Sequence, residues 1–321
     1  MSAPNPWWRT PIAVWSCAGV LCAGMFLWVM GGWILSGNAR VSLGALGNEG
    51  TPLPGRPYET VLWITTVFLT AGAVLVIGWV VRDCRRHRAI TFRGALLVGL
   101  TVNIWAAPMV AVHHEAFGYS TAFVNYSSWS DHIPGWHSPV PSSGMRETMV
   151  SALPGMLFAI MWPVLASWLI RPILRRRPAL SGARLLSAVY LAGIPAVLLV
   201  TWFMSFTGMV TSVRGTPGLT LFAGQWFQLS LVHDLVGAVL LTTTLVVPYH
   251  YHLRAGHDDA SIWRGLNGVP ARLRTPAKVL SGVALANVAF LSWILGGVIS
   301  NSLTVPMPPD TFPFPYPYPL P

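Results

Sequence analysis

Val61-Leu-Trp-Ile-Thr-Thr-Val-Phe-Leu-Thr-Ala-Gly-Ala-Val-Leu-Val-Ile-Gly-Trp-Val-Val81 runs for 21 residues without a charge, and Arg82-Asp-Cys-Arg-Arg-His-Arg88 follows at once. About 20 apolar residues are enough for a helix to cross the hydrocarbon core of a bilayer. Arginines gathered at one end of such a run mark the cytoplasmic side. Working outward from this stretch, similar runs recur along the chain, and the expected spans are roughly 12–36, 59–81, 94–112, 148–170, 184–206, 227–248 and 278–299. Composition agrees: 53% of the residues are apolar and 9% are charged, against about a quarter charged in soluble domains. The expected fold is all-α, a polytopic bundle of about seven transmembrane helices in the cell membrane.

Charge sets the orientation. Arg82, Arg85, Arg86, Arg88 and Arg93 follow the second span. Arg171, Arg175, Arg176, Arg177 and Arg184 follow the fourth, and Arg254, Arg264, Arg272, Arg274 and Lys278 the sixth. The alternate segments hold Arg40, Arg56, Arg146 and Arg214. This bias predicts a cytoplasmic N-terminus and an external C-terminus. The formal net charge of +10 is then membrane topology and contact with anionic lipids. It does not indicate a nucleic-acid partner, which would need a basic domain with stacking aromatics. The first run exceeds the core of a signal peptide, about 7–15 residues, and reads as a retained helix. Cys17, Cys22 and Cys84 suggest neither a disulfide framework nor a thiolate metal site. No internal repeat is evident, which counts against the inverted halves of many transporters. Residues 1–305 form one bundle on this reading. The tail, 306–321, alternates proline with aromatics and should be extended polyproline II.

The longest external connection, 113–147, contains Asn125-Tyr-Ser-Ser-Trp129-Ser-Asp131-His132-Ile-Pro134-Gly135-Trp136-His137-Ser138-Pro139. Carboxylates, imidazoles and indoles are rare together between apolar runs. Near it in the expected topology lie His113-His114-Glu115 at the end of the third span and Arg146-Glu147 at the start of the fourth. His233-Asp234 lies about two turns inside the sixth. Intramembrane ionisable groups are costly, so each is a functional candidate. Each also has a plainer reading. The His113–Glu115 run suits an interfacial rim, and His233-Asp234 suits a structural pair with Asp234 bound to Arg146 or Arg214. Trp129 and Trp136 suit an aromatic belt. Asn103 and Asn287 suit interhelical hydrogen bonds. Tyr249-His250-Tyr251-His252 and His257-Asp258-Asp259 suit a solvated cytoplasmic interface. His113, His114, Glu115, His132 and His137 supply donors for a metal. Adjacent histidines diverge by about 100° on a helix, however, and no HExxH spacing occurs, so no metal is expected.

The segment around Ile133-Pro-Gly-Trp136 resembles the Trp-x-x-(Glu/His)-Ile-Pro-Gly-Trp-x-Ser-Pro loop of the AveC spirocyclase family. Leu231-Val-His233-Asp234-Leu235 and Ala286-Asn287-Val-Ala-Phe290 are similar to the family's patterns in the sixth and last spans. Family members often carry an acidic residue where His132 stands, and here Asp131 precedes it. The resemblance implies an integral-membrane cyclase that forms spiroketals on polyketides, in some members with a linked dehydration. Spiroketal closure needs an acid for the departing oxygen and a base for the incoming hydroxyl, as glycosidases use around an oxocarbenium-like state. A carboxyl in an apolar site stays protonated and can act as the acid, and indole faces can stabilise a cation. Asp131 and His132 are the expected acid–base pair, with Asp234 held by His233 as second carboxylate and Glu115 in reserve. Trp129, Trp136, Asn125, Tyr126, His114, His137 and Glu147 are the expected contacts for a lipophilic, polyketide-like substrate. The chemistry requires no cofactor. The rival readings are a membrane terpenoid cyclase, and a non-catalytic binding or transport protein for a lipophilic molecule.

Overall fold

The computed structural model of the protein describes residues 9–42, 56–115, 117–119, 125–136, 146–255, 261–307 and 310. They form a bundle of rods. α1 is Pro11–Leu35, α2 is Arg56–His87, and α3 is Phe92–Val102 continued by a 3-10 helix, Asn103–Glu115. α4 is Met149–Arg176 and α5 is Gly182–Phe206. α6 (Leu231–Leu241) passes through a π-helical turn (Thr242–Val246) into α7 (Val247–Ala255), and α8 is Ala271–Leu303. Seven rods stand where seven spans are expected. Among the described residues six helices are long and apolar enough to cross a membrane; side chains 149–159 of α4 lie outside the described set.

The packing is that of a membrane protein. Large apolar side chains face outward, with Leu21 75% and Leu75 72% exposed beside Leu27, Trp28, Val67 and Phe68. Such a continuous belt would drive aggregation in water and is at home in lipid. Small and polar residues face inward instead. α8 is the axle: it packs against α1, α3 and α6 and buries Ser281, Gly282, Ala284, Ala286, Asn287, Gly296, Gly297 and Ser300. A Cβ on Gly99 would overlap the backbone of Gly282, and one on Gly19 would overlap that of Leu280. Small residues let membrane helices approach this closely, so dispersion replaces the hydrophobic effect as the main attraction. At about 1.5 Å per residue, α8 is some 50 Å long and overshoots a hydrocarbon core of about 30 Å.

Local chemistry explains the helix ends. Pro11 opens α1 at the position where its missing N–H costs nothing. Thr91 caps α3, its hydroxyl accepting from the Gly94 amide at 3.3 Å. α2 closes with Ala89 N–H donating to the Cys84 carbonyl and Arg88 N–H to that of Arg85, a Schellman ending that puts Arg88 at φ +49°. The third span is only half α-helical, because Pro108 lies inside it. Proline removes a donor and crowds the carbonyl four residues back, and the chain past Val102 tightens to 3-10. In the sixth span Pro248 lies two residues past the π-turn and crowds the Thr244 carbonyl within it.

One pole of the bundle carries the arginine-rich connections. There Arg93 donates to Tyr249 Oη at 2.9 Å, contacts Asp83 at 3.3 Å and lies 4.6 Å from the Trp79 ring centre. Tyr249, His250 and His252 are buried rather than solvated, which corrects the expected polar interface. The reason is that Ile262, Trp263, Leu266 and Val269 fold back into one core with Phe92 and Tyr249, and His252 stacks on Phe92 at 4.3 Å. His257-Asp258-Asp259 lies outside the described residues.

At the opposite pole the connections are tied by short antiparallel pairings. β1 (Val41–Ser42), β3 (Asn125–Ser127) and β4 (Arg146–Thr148) form one sheet, in that order. β2 (Phe117–Tyr119) pairs with β5 (Val210–Ser212), β6 (Arg214–Gly215) with β9 (Val305–Pro306), and β7 (Thr220–Leu221) with β8 (Leu229–Ser230). The sixth span therefore begins at Leu231, not at 227, because β8 precedes it. His233 and Asp234 sit in its first turn instead of two turns deep. Arg214 is not a partner of Asp234. It caps α8, donating to the Asn301 and Thr304 carbonyls at 3.1 and 2.7 Å, where the helix has no further amides to offer. Gln228, fully buried, donates to the carbonyls of Ser212 and Met307 and accepts from the Gly224 amide, which fastens the chain after α8 over this pole. Residues 311–321, where polyproline II is expected, lie outside the described set.

Candidate functional site

Ile133-Pro134-Gly135-Trp136 is a type II turn. Pro134 is at the second position, Gly135 has φ +70°, and the Trp136 amide donates to the Ile133 carbonyl at 3.2 Å. Type II geometry demands positive φ at the third residue, hence glycine. The preceding residues, Ser130–His132, make one 3-10 turn. Together the two turns drop Trp129 and Ile133 into a core with Val29, Trp33 and Trp105, against which Trp136, Tyr126 and Phe290 pack. Trp129 is 1% exposed. Its Nε1–H donates to the Trp105 carbonyl at 3.0 Å, and its ring meets Trp33 edge-on at 5.2 Å. Trp105 in turn donates to Asn287 Oδ1 at 2.9 Å, which bears out Asn287 as an interhelical tie. Trp129 is a strut that holds the turn against α1, α3 and α8. The Trp136 Nε1–H is buried with no acceptor among the described residues.

Asp131 is exposed beside this plug. His132 is half-buried over Gly32, where a Cβ would sit 3.0 Å from its Nδ1, and its Nε2 lies 3.5 Å from Ser36 Oγ. Glycine at 32 makes the room this imidazole occupies.

His233 and Asp234 are both buried, and being adjacent on a helix they point about 100° apart. His233 faces α8, with Nδ1 2.8 Å from Ser300 Oγ. Asp234 faces α5, where the Thr201 hydroxyl donates to its carboxylate; among the described residues its Oδ2 has no hydrogen-bond partner. The α5–α6 pairing is antiparallel, with Gly193 against Thr242 and Thr201 against Asp234. The same register sets Ser205 level with Ser230. Both hydroxyls are buried and unpartnered among the described residues, as is that of Ser212. A buried carboxylate oxygen left unpaired costs far more than surface exposure would. The pull of a helix N-terminus on an acidic residue in its first turn returns under about 1 kcal/mol. Asp234 is therefore expensive for stability alone and suited to meeting a polar group that comes and goes.

These two centres share the loop pole but not a flank of α8. Asp131, His132, Trp129 and Trp136 lie on the α1–α3 side, and His233-Asp234 on the α6 side. Between them stand Phe290 and Trp293, ring centres 5.7 Å apart, with Trp293 packed 3.6 Å from where a Gly237 Cβ would be. Backbone pairing puts Tyr126 opposite Glu147 and Asn125 opposite Thr148. The side chains of Asn125, His113, His114, Glu115 and Glu147 lie outside the described set, as does the whole of His137. Among the described residues no cluster of three His, Cys, Asp or Glu could hold a metal. The residues that sequence reasoning missed, Ser300, Thr201, Ser205 and Trp105, are neutral groups inside apolar runs and carry no local signal.

No curated protein and no solved structure matches the chain. The family model described as "Spirocyclase AveC-like" matches residues 85–319. The matched region runs from the end of α2 through the tail, so it takes in the Ile-Pro-Gly-Trp turn, the His233-Asp234 pair and the whole of α8. The chain belongs to the AveC-like spirocyclase family.

Proposed function

We propose that this protein is a cell-membrane spirocyclase that closes a dihydroxyketone, of the polyketide class, into a spiroketal, with Asp234 as the group that moves the proton. The observation that carries this reading is the Asp234 carboxyl, buried inside the helical bundle with one oxygen unpartnered among the described residues, in a chain of the spirocyclase family. In the first step one substrate hydroxyl adds to the ketone and gives a hemiketal. Asp234, as the acid, protonates the hemiketal oxygen, which leaves as water, and the ring oxygen shares the resulting positive charge. The second hydroxyl then attacks that carbon, and its proton returns to the Asp234 carboxylate. Acid and base are thus one group used twice, so the cycle needs no cofactor. Positioned proton transfer of this kind contributes about 10²–10⁴ in rate. Thr201 holds the carboxylate, and Trp293, packed against Gly237 about one turn along α6, offers an indole face that attracts a developing cation. Asp131 and His132, on the other flank, serve at the substrate's point of entry in this reading.

Purified protein in lipid nanodiscs, incubated with a dihydroxyketone, tests it when the products are resolved by mass and chirality. Loss of one water with a single stereoisomer in excess over the enzyme-free control supports spiroketal closure. An isomer of unchanged mass that is neither the ketone nor its hemiketal identifies a terpenoid-type cyclase instead. Retention of the ketone in tight complex, unchanged, would show a binding protein.

A further inference from the structure

Ser300 Oγ touches three groups at once: His233 Nδ1 at 2.8 Å, the Gly296 carbonyl at 2.7 Å and the Gly297 carbonyl at 3.2 Å. A hydroxyl has one proton to give, and a carbonyl oxygen has none. Were that proton turned toward the histidine, Ser300 Oγ and the Gly296 oxygen would face each other at 2.7 Å with nothing between two sets of lone pairs, which is repulsive. The arrangement that satisfies every contact sends the serine proton to the carbonyl four residues back, a common helical bond for serine. Ser300 then accepts from His233 Nδ1–H. We infer that Ser300 is a positioning residue that fixes His233 as the Nδ1–H tautomer, so that Nε2 carries the imidazole's basic lone pair.

The surroundings hold this setting firmly. Ser300 is 0% exposed, and Arg214 clamps the carbonyls of Asn301 and Thr304 just beyond it. Thr304 Oγ1 also donates to the Ser300 carbonyl at 2.9 Å. The hydroxyl therefore sits on a helix end that cannot swing away. Resting on the proposed reaction, this divides the labour in the first turn of α6: Asp234 gives and recovers the proton, and His233 Nε2 positions the first hydroxyl, the one that adds to the ketone, by accepting a hydrogen bond from it.

The test needs no substrate. In protein carrying ¹⁵N-labelled histidine, the His233 ring signals, assigned by their loss in His233→Gln, report which nitrogen bears the proton. The expected result is a protonated Nδ1 in the native chain, shifting toward a protonated Nε2 in Ser300→Ala. A native His233 protonated on Nε2, or an unchanged pattern in Ser300→Ala, overturns the inference. A second measurement uses turnover. Ser300→Ala lowers kcat by about 10²-fold, the lower end of what positioned proton transfer supplies, with KM little changed, and Ser300→Thr restores it. A KM effect alone, or no rescue by threonine in a folded protein, also contradicts the tautomer role. Because the labelling result stands apart from turnover, it separates failure of this inference from failure of the proposed reaction.

Discussion

Trp129 and Asp234 are each buried groups with hydrogen-bonding needs, and the fold treats them in opposite ways. Trp129 has its N–H satisfied by the Trp105 carbonyl and its ring buried among apolar neighbours, whereas Asp234 keeps an oxygen unpartnered among the described residues. On that contrast rests the proposal that Trp129 is scaffold and Asp234 takes part in the chemistry. Replacing Trp129 with Phe removes one buried hydrogen bond and part of a ring, and is expected to cost about 1–3 kcal/mol of stability. Thermal unfolding in detergent measures the loss, and turnover per folded molecule should stay within a few-fold of the native value. Asp234 was legible in sequence because a carboxylate within an apolar run has few plain explanations. Trp129 was legible as important but not as a strut, since its partner Trp105 lies 24 residues away and only the folded turn brings them together. His132 is similar: the glycine that makes its place, Gly32, is in another helix.

Element boundaries follow rules that were readable where proline and glycine act locally. Pro134-Gly135 dictates a type II turn, and Gly135→Ala must hold an L-residue at φ +70°, at a cost of about 1–2 kcal/mol. The same change should loosen Trp136 and slow turnover by several-fold. Comparing thermal midpoints and rates for Gly135→Ala and Gly135→Asn, which tolerates that conformation better, checks the origin of the effect. The start of α6 was not legible, because Leu229 and Ser230 pair with Leu221 and Thr220, a contact that no periodicity within 227–248 announces. Nor was burial of Tyr249 and His252, which depends on Phe92 and on residues 262–269 folding back beside them. Close helix crossings were half-visible as glycines. Gly99→Val is expected to force α3 off α8 and destabilise by about 1–3 kcal/mol, again read from unfolding in detergent.

For the whole molecule, hydropathy alone supplied the architecture. Few charges, long apolar runs and small residues on α8 leave a membrane bundle as the one way to satisfy the backbone. The polar pole was also foreseen as a gathering place, although α8 divides it into two flanks. Orientation is a separate expectation resting on the arginine bias. It predicts that a cysteine at Asp310 reacts with an impermeant maleimide added to intact cells, while one at Arg177 reacts only after the membrane is opened. The reverse pattern would invert the assignment and put the site on the cytoplasmic face. The most direct measurement for the account as a whole compares Asp234→Asn with Asp131→Asn, both in nanodiscs, by single-turnover closure of a dihydroxyketone with product chirality read alongside. Asp234→Asn should lose at least about 10²-fold in rate and fall to the stereoisomer ratio of spontaneous closure, while Asp131→Asn keeps the native ratio. Native rate and chirality in Asp234→Asn would contradict the account.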